Sequence, residues 1–160
     1  MDFIKKLGKG WHGHPLRHRF ARFGVKTKQP KEKTASPERL KRLLPTNVHY
    51  EDSKISFSYD GTFISNHVHV KKHEGFVGVW HKFRNDVYID KDLKTKRDLE
   101  AVALHESIEK YVSQKYGFNP DGEAHNIANA VEKAFLERMG GKWDAHQEKV
   151  KEVWREEGEQ

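Results

Sequence analysis

The chain has 160 residues, enough for one ordinary domain with a tail and a tight fit for two. Hydrophobic residues make up 35% and charged residues 34%, so any core is compact and much of the chain is solvated. There is no cysteine, which excludes disulfides and thiolate metal sites and leaves histidine and carboxylate as metal ligands.

The formal net charge of +6 is unevenly spread. Residues 1–45 hold 13 Lys/Arg against 3 Asp/Glu, a balance of +10; the remainder holds 17 against 21, a balance of −4. The expected organisation is a basic arm over residues 1–45 and an α+β domain over 46–160. No run of about 18 apolar residues exists, so no transmembrane helix is expected. The first twenty residues lack an apolar stretch, which argues against a secretory leader and makes a cytoplasmic location the expectation. Abundant Lys and Glu with few Met and Gln fit a protein from a hot environment.

In chain order, "GKGWHGHP" and "KTKQPKEKTASP" read as loop or disorder. Between them "HPLRHRFARFG" can form a short basic helix. Lys5, Lys6, Lys9, Arg17, Arg19 and Arg22 are candidate phosphate contacts, and Trp11, Phe20 and Phe23 are candidate stacking platforms for bases. The same composition also describes a solvated tail. A brief helix is predicted at "SPERLKRLLP", with Ser36 as N-cap, Pro37 in the first turn and Pro45 as its stop.

From Val48 to Asp90 the apolar period becomes two. "KISFSYDGTFIS" predicts a hairpin turning at Asp60-Gly61. "HVHVKKHEGFVGVWHKF" predicts a second strand pair turning near Glu74-Gly75, and "DVYID" a short strand. The expectation is three to five strands, mostly antiparallel. His67, His69, His73 and His81 fall on these strands; they read as exposed histidines, with no carboxylate at a ligand-like spacing.

From Lys94 onward the period is helical. Thr95 with Asp98 resembles a capping box, and Gly117 ends that helix. A second helix is predicted from Asn119-Pro120 to Arg138, and a third from Asp144 with Val150, Val153 and Trp154 on one stripe.

The first of these helices carries "ALHESIEKYV". Residues four apart share a helix face, so Val102, His105, Glu109, Val112 and Tyr116 form one stripe, apolar at both ends and therefore inward. A buried carboxylate is costly unless it is paired or binds a metal. His105 and Glu109, one turn apart, can both reach one cation at about 2.0–2.2 Å. Glu106 sits beside them, where it can take a proton from water held at the ion. His125, in the first turns of the next helix, is the third candidate ligand. His146 is a further candidate, although its place in a first helical turn favours a cap or surface role. On the residues alone another account stays open. H-E-x-x-E arises easily in a Lys/Glu-rich chain, Glu106 then pairs with Lys110, and His105 is a hydrogen-bonded core histidine.

"LHESIEKY", preceded by "DVYID" and followed by a helix bearing His125, resembles the zincin-like metallopeptidase fold. It is most similar to small divergent members from phages and archaeal mobile elements, some of which carry H-E-x-x-E. The resemblance covers roughly residues 50–140. It implies a small sheet packed on the helix of the site, with the strand before that helix lining the cleft. It makes His105, Glu109 and His125 metal ligands and Glu106 the general base, with zinc as cofactor. The carboxylate at 109, where the second histidine of the parent motif stands, brings manganese or iron into range. The implied activity is hydrolysis of a peptide or protein. The alternative is a nucleic-acid-binding accessory protein that works through the arm and keeps the domain as a non-catalytic scaffold.

Overall fold

A computed structural model describes residues 36–72 and 76–158. The proposed nucleic-acid contacts Lys5, Lys6, Lys9, Arg17, Arg19 and Arg22 fall outside these residues, as do Trp11, Phe20, Phe23 and His73.

The described elements are, in order, α1 (Pro37–Arg42), β1 (Thr46–Glu51), β2 (Lys54–Tyr59), β3 (Thr62–Lys71), β4 (Gly78–Trp80), β5 (Asp86–Asp90), α2 (Lys96–Tyr116), α3 (Glu123–Arg138) and α4 (Trp143–Gly158). The class is α+β. The five strands form one mixed sheet in the order β1-β2-β3-β5-β4.

The β2–β3 hairpin turns where the sequence places it. Asp60 and Gly61 both have positive φ, 52° and 71°, which a two-residue turn matched to the strand twist requires. Ile55, Phe57 and Tyr59 point inward and are buried. The second expected pairing is different. β3 and β4 do not form a hairpin; β5 inserts between them, parallel to β3 and antiparallel to β4. Val68 then faces Val87, and Val70 faces Ile89. The turn expected at Glu74-Gly75 lies outside the described residues, and turn signals in a sequence mark only that a chain changes direction. They carry no information on which strand it meets next.

Ser36 caps α1 by accepting from the Arg39 N–H. This helix, grouped with the arm by charge, is fastened to the domain. Leu40 is fully buried in the core, and its carbonyl accepts from the Tyr59 hydroxyl at 2.6 Å.

α2 begins at Thr95, whose side chain accepts from the Asp98 N–H, and ends at Gly117 with φ 77°. Both ends agree with the sequence. The expectation of one inward stripe does not describe its middle, because every residue from Ala101 to Lys110 is buried. α2 lies between the sheet and α3, so it has no solvent face along this stretch. α3 starts at Glu123, later than predicted. The Asn119 side chain accepts from the Asp121 N–H, and its carbonyl accepts from the Gly122 N–H, so Asn119 makes a turn of its own ahead of the helix. α4 docks through Val150, Val153 and Trp154, as the stripe predicts. No described helix is long and apolar enough to cross a membrane.

Candidate metal centre

Each polar side chain in the middle of α2 meets a different neighbour. Ser107 faces the sheet and accepts from the Asn66 side chain at 2.9 Å. Glu106 lies under β4. Gly78 makes this close approach possible, since a Cβ there would stand 2.9 Å from Val102 Cγ1 and 3.1 Å from Glu106 Cγ. Glu109 turns toward the end of β4 and toward α3, accepting from the Trp80 indole N–H at 3.0 Å. His105 faces α3. The strand against the site is therefore β4. β5, the strand immediately before the helix and the one the resemblance placed at the cleft, is interior to the sheet.

Helix spacing brings His105 Nε2 to 3.1 Å from Glu109 Oε2. The same carboxylate oxygen lies 3.2 Å from His125 Nδ1 on α3. One ligand atom from each of the three residues lies within 4.8 Å of the others. Ligands about 2.0–2.2 Å from a tetrahedral ion stand roughly 3.3–3.6 Å apart. Two edges of the triangle, at 3.1 and 3.2 Å, are just under that length. Glu106 Oε2 lies 3.7 Å from the same His105 nitrogen.

The remaining ring nitrogens are held by side chains. His105 Nδ1 meets Glu132 Oε1 at 2.8 Å, and His125 Nε2 meets the Asn129 side-chain amide at 2.7 Å. A histidine that ligates through one nitrogen has to donate from the other, and a carboxylate or amide oxygen is the usual acceptor. Rotating the Asn129 amide by half a turn would present its oxygen to His125.

The donor set fits a divalent cation on charge as well. Glu106, Glu109 and Glu132 are buried together around the two imidazoles. Buried carboxylates in such number call for positive charge. Protonated histidine supplies it in the metal-free protein. Burial alone works against a charged His105, but hydrogen bonds to Glu109 and Glu132, with the fields of Glu132 and Glu106, raise its pKa to about 10. Burial pushes the Glu132 carboxyl up, yet His105 and His146 outweigh it and hold the pKa below the usual carboxylate range.

The structure brings together His105, Glu106, Glu109 and His125. It corrects the reading of His146, which is neither on the surface nor a cap. Its ring is buried between Glu132, at 2.6 Å from Nε2, and Asp98, at 2.7 Å from Nδ1. Lys110 does not pair with Glu106. Its ammonium donates to the carbonyl of His81 at 2.7 Å and to that of Arg84, closing the loop after β4. Of the histidines expected exposed on strands, His69 pairs with Asp86 at 2.8 Å on the outer face of the sheet, whereas His81 lies just past β4 and is buried, its Nδ1 accepting from the Phe83 and Arg84 N–H groups. Asp86 comes from the parallel neighbour β5, a partner that spacing along β3 cannot reveal. Glu132, which holds both His105 and His146, is legible in the sequence: it lies seven residues after His125, hence on the same face, within an apolar stripe.

No protein-family model matches the chain, and neither curated proteins nor solved structures contain a similar one at a significant level.

Proposed function

We propose that the protein is a metal-dependent hydrolase of zincin-like architecture, with His105, Glu109 and His125 holding the ion and Glu106 as general base. The observation that carries this reading is the meeting of three ligand atoms within 4.8 Å, from two helices, beside a second buried carboxylate, that of Glu106. A divalent ion in that position supplies a Lewis acid that lowers the pKa of water and polarises a carbonyl. Glu106, held against His105 under Gly78, would accept the proton from attacking water and return it to the leaving amine. Trp80 fixes one oxygen of Glu109, and the other, which faces His105 and His125, would be the one to hold the ion. Zinc suits the two imidazoles, and the carboxylate keeps manganese and iron in range.

Glu106→Gln is the direct test. It should retain metal and lower peptide hydrolysis by about 10²–10⁴-fold, measured on a mixed peptide library with the metal-loaded protein. Hydrolysis at the wild-type rate would remove Glu106 from the chemistry.

One observation favours a second reading. His105, Glu106 and Glu109 have no exposed surface, and His125 is only 9% exposed. An ion so enclosed would pin α2 to α3 as a structural staple. Metal-dependent stability in a wild-type protein that cleaves no peptide would decide for the staple.

The basic segment supports a separate role through its charge, contact with nucleic acid. A fluorescent DNA or RNA oligonucleotide should bind the full chain, release steeply as salt rises, and fail to bind a chain lacking residues 1–35. Such a truncation spares Leu40 and the core. Binding that survives it would place the contact elsewhere.

A further inference from the structure

The proposed ligand set leaves one buried polar assembly unused. From His105 Nδ1 a chain of charged groups runs through three helices: Glu132 on α3, His146 on α4, Asp98 in the first turn of α2, and Lys149 on α4. Every link is 2.9 Å or shorter. The chain reaches solvent at Lys149, whose side chain is 46% exposed. Asp98 is further held by the Thr95 hydroxyl.

We propose that Glu132, His146 and Asp98 form a positioning relay that aims His105 Nε2 at the ion, with His146 on α4 fixing the Glu132 carboxylate. This inference rests on His105 being a ligand.

The argument is one of donors and acceptors. For Nε2 to ligate, the proton of a neutral His105 must sit on Nδ1, which needs an acceptor. Glu132 Oε1 is that acceptor. A buried carboxylate held by one oxygen alone can rotate away or remain unsatisfied at the other. His146 Nε2–H occupies Oε2 at 2.6 Å and prevents both. His146 itself lies between two carboxylates, neither of which can donate when ionised. Both its ring nitrogens therefore donate, and the ring is an imidazolium. It keeps Glu132 anionic, and an anionic acceptor makes the His105 ring a stronger ligand. Asp98 and Lys149 balance the charge of His146 and lead it to the surface. If the relay only anchored α4, any loosening of that helix would act on the metal site alike, and loss of His146 would have no special effect.

The test is Zn²⁺ affinity of the full chain, by competition with a chromophoric chelator, together with the visible spectrum of the Co²⁺-loaded protein. His146→Gln, which can still donate to Glu132 but carries no charge, should weaken Zn²⁺ binding about tenfold, with an altered Co²⁺ spectrum. Val153→Ala loosens the apolar seat of α4 without touching the relay and should leave both readouts unchanged. Asp98→Asn, which keeps an acceptor for His146 and removes its counter-charge, should shift affinity in the same direction by less; it serves as the second probe if His146→Gln does not fold. Affinity in His146→Gln or Asp98→Asn equal to wild type overturns the relay while leaving the ligand assignment standing. An equal loss in Val153→Ala also overturns it, in favour of a purely structural α4. Failure of the wild type to bind Zn²⁺ or Co²⁺ removes the ligand assignment and the relay together.

Discussion

Glu132→Ala should destabilise the metal-free protein by about 3–5 kcal/mol, the cost of removing one partner from a buried ion pair. Glu132 accepts from His105 and from His146, both buried, so its loss strands two rings at once and opens a gap between α3 and α4. For a domain of this size the melting temperature should fall by roughly 10–20 °C. A fall of only a few degrees would mean that the two rings find water or other acceptors, and that the network holds less than its geometry indicates. The pH dependence of the same melts follows from the shifts. The pKa values of His105 and His146 are raised by their carboxylate partners, so their contribution is complete below the usual histidine value of about 6.5. It fades as pH rises, ending for His105 near 10. Asp98 and Glu132 have lowered pKa values, so theirs is complete above the usual carboxylate value of about 4 and is lost as pH falls through the lowered ones. Metal-free stability should therefore be greatest between about pH 4.5 and 6.5 as far as this network decides it. Glu132→Ala should flatten that maximum.

A divalent transition metal should stabilise the wild type, and His125→Ala should abolish the effect. At a free ion concentration one hundred times the Kd the gain is about 2.7 kcal/mol, or roughly 8 °C. One equivalent should bind, since the described residues contain one group of three ligands close enough to share an ion. His125 is the ligand to change because it is the one with exposed surface, so truncating it strands less than truncating His105 or Glu109. Binding would replace the hydrogen bonds that now join His105 Nε2, Glu109 Oε2 and His125 Nδ1. A thermal shift should be sought with Zn²⁺, Co²⁺, Mn²⁺ and Fe²⁺. If none raises the melting temperature, or if His125→Ala responds as the wild type does, the three residues form only a hydrogen-bonded cluster.

Features decided within a few residues could be read directly from the sequence. Asp60-Gly61 turns the hairpin because two consecutive residues must take positive φ, and few pairs tolerate it. Thr95 and Gly117 bound α2 because a helix needs a side-chain acceptor at its start and a left-handed residue at its end. His105 and Glu109 meet because helical geometry stacks positions four apart.

Tertiary packing decided the rest. α2 reads as a helix with one inward stripe, yet the sheet covers one side and α3 the other, so its charged residues are inside with the apolar ones. β5 entered between β3 and β4 because strand pairing rewards the burial of Val87 and Ile89, whatever the turn signals say. His146 resembled a surface residue in a first helical turn; only the docking of α4 places it 2.6 Å from Glu132 and 2.7 Å from Asp98, 14 and 48 residues away. Local rules specify dihedral angles and spacings, and they act between near neighbours in the chain. Which carboxylate meets which imidazole depends on how whole elements stack, and that is settled by the area they bury together.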